Sequence, residues 1–210
     1  MTQPSAIFLD LETTCLDPDD ASAAVLELAM LAVDPRTLQP RMAFSSPVRL
    51  YGDSGQMRPD VFEMHTASGL LAECATAPDA HEVYEAAAAF FHAAGGRMDE
   101  VKWRSPLCGA NGGDFDRRWL RYYAPALHEL FHYRVFETNT FWLLDAWVAG
   151  TWAQPKQRSA AAHRALPDCY DSLDATREHV GLPPCERNTP LWSLTDVGVG
   201  ARFAARLDDE

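Results

Sequence analysis

The chain reads as an α/β protein built on a mixed five-stranded sheet flanked by helices, and four stretches predict this. Ala6 to Leu9 is an apolar run that leads into Asp10-Leu11-Glu12-Thr13-Thr14, the pattern of a buried strand with carboxylates at its exit. Two more strand-like runs, Ala24 to Val33 and Met42 to Leu50, follow with only short polar turns between them, as in an antiparallel meander at the start of a sheet. Ala80 to Ala94 then places Val83, Ala87, Phe90, Phe91 and Ala94 at helical spacing, giving the clearest amphipathic helix in the chain.

The other elements follow in order. Asp17-Pro18-Asp19-Asp20 is turn chemistry, and Asp34-Pro35 ends the second strand. Val61 to Thr66 leads into a helix expected to begin near Ser68, and Gly95-Gly96 stops the amphipathic helix. Ser105 to Gly109 is a short central strand opening into Ala110-Asn111-Gly112-Gly113-Asp114-Phe115-Asp116, a glycine-rich turn that lets backbone approach a ligand. Phe115 to Tyr123 should be helical, Tyr133 to Phe136 a fifth strand, and Asn139 the cap of a helix through Trp147. Gly150 to Ser159 is polar and loop-like. The last helix is expected from Pro167 or Asp168 to His179, with Gly181 beyond it. Residues 1–183 thus form one domain, and residues 184–210 read as a tail with an apolar stretch around Leu191 to Val199.

Composition narrows the function. A chain of 210 residues that is 47% hydrophobic has the make-up of an ordinary globular domain. No apolar run reaches membrane-spanning length and the first strand starts almost at once, which points to a cytoplasmic protein without a secretory signal. Five scattered cysteines with no CxxC pair argue against a disulfide framework or a structural zinc site. The formal net charge of −12 speaks against a protein that tracks along many phosphates, since that needs a basic surface and this chain has no such surplus. A nucleic-acid ligand would be gripped over a few nucleotides, with metal ions offsetting the acidic background.

The acids carry the chemistry. Residues i and i+2 of a strand share a face, so Asp10 and Glu12 project together. Two solvated acids at a strand end would be unremarkable, but beside a hydrophobic core they repel unless a cation sits between them. Hard carboxylate oxygens suit Mg2+ or Mn2+. Asp116 follows the glycine turn, with Asp114 competing for its place, and Asp168 lies in the last helix five residues after His163.

These residues, with their neighbours, resemble the DEDDh 3′-to-5′ exonucleases of the RNase H-like superfamily, and within them the oligoribonuclease family. The resemblance rests on Asp10-Leu11-Glu12-x-Thr14-x-Leu16-Asp17-Pro18, His65-Thr66-Ala67-Ser68-Gly69-Leu70, Asp116-Arg117-Arg118-Trp119-Leu120, Phe131-His132-Tyr133-Arg134 and His163-Arg164-Ala165-Leu166-Pro167-Asp168, in that order. It implies an RNase H-like sheet and hydrolysis of short single-stranded RNA to nucleoside 5′-monophosphates with two divalent ions, Mg2+ or Mn2+. By the same resemblance Asp10, Glu12, Asp116 and Asp168 are the metal ligands and His163 the general base, while Leu16 and His65 lie near the scissile nucleotides. Tyr133 and Arg134 cap the 5′ phosphate, partly across a homodimer interface near Phe131 and Trp142. The chain departs from the family in Cys15 for glycine and in a glycine turn one residue longer and without serine. Asn139 stands where a serine is expected, and the tryptophan before His65 is absent, with Asp60 nearest its place. These changes leave open a broader exonuclease acting on single-stranded DNA or longer RNA ends. A non-catalytic subunit with the same fold is the remaining reading.

Overall fold

In the computed structural model, which describes residues 4–52, 57–96, 104–151 and 163–193, the run Ala6–Thr13 forms strand β1 with every residue but Ala6 and Asp10 buried. A strand apolar on both faces has to be covered on both, which makes it the middle layer of three. Strand β2 (Val25–Val33) pairs antiparallel to β1, setting Asp10 opposite Ala29 and Glu12 opposite Glu27, and a register shift follows at Glu12/Thr13. Such an irregularity bends the strand where its carboxylates leave the sheet. Strand β3 (Pro40–Pro47) continues the meander, whereas β4 (Leu107–Gly109) and β5 (Val135–Glu137) add in parallel on the other side of β1.

All five expected strands are therefore present, and a sixth joins them. Strand β6 (Leu191–Trp192), from the segment read as a tail, pairs parallel to β3 and completes the order β5-β4-β1-β2-β3-β6. It is held by the Ala43 N–H donating to the Pro190 carbonyl at 3.0 Å and by the Trp192 ring meeting Phe90 edge-on at 6.4 Å. Two residues carry too little periodicity to register as a strand. The parts of the expected loop and tail at 152–159 and 194–199 lie outside the described residues.

Helices cover the two faces. Helix α1 (Pro59–Ala67) begins with proline in its first turn, and Gly69, at φ 78°, separates it from α2 (Leu70–Cys74). The helix expected from Ser68 is thus two short ones, because proline starts the first early and a left-handed glycine breaks the chain direction. Helix α3 (Ala80–Ala93) matches expectation and is closed by a capping box between Asp79 and Glu82. Helices α4 (Arg117–Tyr123) and α5 (Pro125–Leu130) follow, the latter started rather than prevented by its proline. Helix α6 (Asn139–Val148) has Thr138, not Asn139, at its cap position, and Asn139 bonds Asn111 and Trp142 instead. Helix α7 (Ala165–His179) starts two residues before Pro167, which its first turn tolerates.

On one face of the sheet Ile7, Leu9, Leu28 and Met30 meet Val83, Phe90 and Phe91 of α3 and Trp119 of α4. On the other, Phe8, Ala29 and Leu31 meet Cys169, Tyr170 and Leu173 of α7. Since Phe8, Asp10 and Glu12 alternate onto the same face, the carboxylates leave the sheet on the side where α7 begins. Trp119 is fully buried and stacks on Tyr123 at 5.3 Å. Trp119→Ala is expected to cost about 3–5 kcal/mol of stability, measured by chemical denaturation.

Candidate active site

Three segments distant in sequence converge where β1 leaves the sheet. Asp10 and Glu12 come from β1, Asp116 from the turn after β4, and His163 and Asp168 from the start of α7. All five line one cavity of about 340 Å³, together with Leu16 and Asn111. Glu12, His163 and Asp168 each bring a ligand atom, and these lie within 4.8 Å of one another. Glu12, Asp116 and Asp168 are buried, and Asp10 is half-buried.

The third acid depends on the glycine turn. Residues Gly112–Asp116 form a π-helical turn in which the Asp116 N–H donates to the Asn111 carbonyl at 3.2 Å and the Arg117 N–H reaches back to Gly112. A π turn holds one residue more than an α turn, which suits the additional residue that the sequence resemblance assigned to this segment. The turn brings Asp116 into the cavity while Asp114 is exposed and points away from it. Three glycines make room. A Cβ on Gly109 would stand 2.9 Å from the Leu9 carbonyl oxygen, and one on Gly113 would meet Glu137 Oε1 at 2.9 Å. The Glu137 carboxylate accepts from the Gly113 N–H and braces the turn.

Burial pushes the Asp116 carboxyl up to about 7, and the negative charges of Glu137 and Asp168 add to the shift against a hydrogen bond from the Leu11 backbone. A carboxyl in that state has too little positive charge around it. Converging oxygen donors that repel one another, with one imidazole among them, fit divalent cations of the Mg2+ and Mn2+ type.

The expected substrate contacts divide. Leu16 stands at the cavity rim, largely exposed, on a turn tied to α4 by the Asp17–Arg118 ion pair. His65 lies beneath the site rather than in it and is fully buried. Its Nε2 is 3.1 Å from the Thr13 carbonyl, which can only accept, so Nε2 carries the proton. Burial holds the ring's pKa below the usual histidine value, so the 4.0 Å approach of Nδ1 to Glu12 Oε2 joins a neutral ring to a carboxylate and is not an ion pair. Tyr133 and Arg134 are exposed outside the cavity, with the guanidinium 5.1 Å from the Tyr133 ring centre. Phe131, expected near an interface, is instead a core residue 5.1 Å from Phe91.

Other residues of the site went unnoticed in the sequence. Val61, Met64, Asn111 and Phe115 also line the cavity. The Asn139 side chain donates to Asn111 Oδ1 at 3.0 Å, which joins the glycine turn to the start of α6. The signal for that pair was Asn139 itself, read as a cap.

A mixed sheet whose first strand delivers two carboxylates to a third and fourth acid and a histidine defines a metal-dependent nuclease of RNase H-like fold. The exonuclease family profile matches residues 7–176. The oligoribonuclease of Coxiella burnetii (strain RSA 493 / Nine Mile phase I) is 33% identical over 183 residues, 81% of this chain and 90% of its own. That of Alkalilimnicola ehrlichii (strain ATCC BAA-1101 / DSM 17681 / MLHE-1) is 31% identical over 185 residues, 85% of this chain and 89% of its own. Among solved structures, cell-death related nuclease 4 matches 99% of this chain at TM-score 0.53 and 14% identity, the match covering 64% of that chain. E. coli exonuclease I in complex with a dT13 oligonucleotide matches 85% of this chain at TM-score 0.53 and 16% identity, covering 41% of its own length. The chain thus spans less than two thirds of either structural neighbour, and these two speak for the fold. This chain belongs to the exonuclease family and, within its DEDDh branch, to the oligoribonucleases; it is a 3′-to-5′ exonuclease that depends on divalent metal.

Proposed function

We propose that the enzyme degrades short single-stranded RNA from the 3′ end to nucleoside 5′-monophosphates, with Mg2+ or Mn2+ as its ions. The observation that carries this reading is the small acidic cavity of a strongly acidic protein. At about 340 Å³ it is near the lower end of the roughly 300–1,000 Å³ range of small-ligand sites, and a chain of net charge −12 has no surplus of basic residues with which to track a long strand. Asp10, Glu12, Asp116 and Asp168 are the ligand set. Two divalent ions held there would lower the pKa of an attacking water and neutralise charge on the phosphoryl oxygens. His163 accepts the proton of that water, its position beside Glu12 and Asp168 supporting the role. Leu16 packs on a base at the rim. His65 acts from below, by holding the Thr13 carbonyl at the end of the strand that carries Glu12.

A second copy of the chain completes the site. Helix α6 has Ala146 as its only buried residue among those described and presents Trp147, 66% exposed, and Val148, 82% exposed, while its Phe141 packs against the exposed Phe136 of β5 at 5.7 Å. Strand β5 next to it is an edge of the sheet. Apolar side chains flanking an unpaired edge are what a self-complementary dimer covers. Tyr133 and Arg134 then reach the partner's cavity, where the Arg134 guanidinium can hold a 5′ phosphate bidentately. Trp147→Glu is expected to yield monomers by sedimentation at micromolar concentration and to raise KM for 5′-phosphorylated dinucleotides. No helix among the described residues is long and apolar enough to cross a membrane.

End-labelled RNA and DNA of two to about twenty nucleotides test the substrate assignment. Rates should be highest on the shortest RNA and fall beyond a few residues. Equal rates on long RNA or on DNA would replace this reading with that of a broader single-strand exonuclease. That second reading is favoured by one observation: Asn111 and Asn139, bonded to each other, stand in the segments where the resemblance leads one to expect serines.

A further inference from the structure

The start of α7 carries His163 and Asp168, yet its own cap residue, Arg164, has no side-chain hydrogen bond to the helix. The helix end is instead held from β2. The Glu27 carboxylate, whose side chain is 2% exposed, accepts from the Ala165 N–H at 3.0 Å, from Arg164 Nε at 2.9 Å and from Arg164 Nη2 at 3.0 Å. The Ser45 hydroxyl donates to the same carboxylate at 3.1 Å. The outer edge of the guanidinium grips Glu73 of α2 at 3.0 and 2.7 Å, and the Glu73 side chain is 47% exposed.

The position of Glu27 gives this arrangement its meaning, because in the β1–β2 ladder it is the residue directly opposite Glu12. Cross-strand partners share a face, so a second buried carboxylate stands beside the one that lines the cavity. Left alone it would repel Glu12 and compete for cations; bound to the Arg164 fork and to a helix N–H it does neither. The same bonds fix the backbone between His163 and Asp168 against the strand that pairs with β1.

We propose that Glu27 and Arg164 are positioning residues for hydrolysis, forming a buried clamp that holds His163 and Asp168 against Glu12, with Glu73 dispensable. This rests on the exonuclease reading of the cavity. A planar fork that meets Glu27 through Nε and Nη2 in fixed directions is what the clamp requires, and a lysine, one point charge on a flexible stem, cannot supply it.

The test compares Arg164→Lys, Arg164→Gln, Glu27→Gln and Glu73→Gln, each followed by thermal unfolding, by calorimetric titration with Mn2+ alone, and by kcat and KM on short RNA. The first three should unfold cooperatively and lose about 10- to 100-fold in kcat and in Mn2+ affinity. Their KM should stay within about threefold, since no interaction of the substrate itself is removed. Glu73→Gln should match the wild type. Wild-type kcat and Mn2+ affinity in a folded Glu27→Gln protein would overturn the proposal, as would full activity in Arg164→Lys, which would leave only a need for charge. Failure of all three to fold would also overturn it, by making the pair a support of the fold. A wild-type protein that bound Mn2+ but degraded no RNA would sink the substrate reading alone, and weakened Mn2+ binding in the variants would still carry the clamp.

Discussion

Asp116→Asn is expected to abolish turnover, by at least about 10³-fold in kcat, while making the metal-free protein more stable at pH 8. The two effects have one cause. Asp116 is buried among carboxyls, and its pKa is raised to about 7 from a reference near 3.8. A raised acid pKa means that between these values the folded state holds a proton that the unfolded state has released. Stability of the metal-free protein therefore falls as pH rises through that window and levels off above about 7. Asparagine removes the ionisation, so above pH 7 the variant should gain at least about 1 kcal/mol in urea unfolding, and below pH 4 it should gain nothing. For the wild type, a metal ion must displace the proton, so Mn2+ affinity should strengthen with pH up to about 7 and flatten beyond. A pH-independent affinity from pH 5 to 8, or a variant less stable than wild type at pH 8, would refute the ligand role of Asp116.

The second large effect is expected at His163. His163→Ala should lower kcat by about 10²- to 10⁴-fold, the range for loss of a positioned general base, with KM changed little. Because His163 lies within 4.8 Å of the ligand atoms of Glu12 and Asp168, it could bind a cation as readily as a proton. Mn2+ titration separates these roles. Affinity kept in a variant with collapsed kcat identifies a base, and affinity lost in parallel with kcat identifies a ligand.

Much of this was legible in the chain. The strand Ala6–Thr13 announced itself because apolar residues on both faces of a short run are hard to read otherwise, and Asp10 and Glu12 carried their shared face with them. Helix α3 was equally plain, since its spacing and its Asp79–Glu82 box act within a few residues. Strand β6 was not, because two residues have no period and Leu191–Trp192 becomes a strand only by finding the edge of β3.

Local sequence, then, determined which acids and histidine were candidates for the site and the elements that bear them, since periodicity, capping and turn chemistry operate over neighbouring residues. Which of Asp114 and Asp116 enters the cavity was decided by a π turn that Glu137 of β5 braces through the Gly113 N–H. That His65 lies under Glu12 rather than in the cavity lining followed from packing of α1 on the end of β1, as the Thr13 carbonyl shows. Glu27 was one more residue of a buried strand until the ladder set it opposite Glu12 and α7 brought Arg164 to it across 137 positions of chain. Contacts of that span depend on where whole elements come to rest, and only burial of the common core sets that.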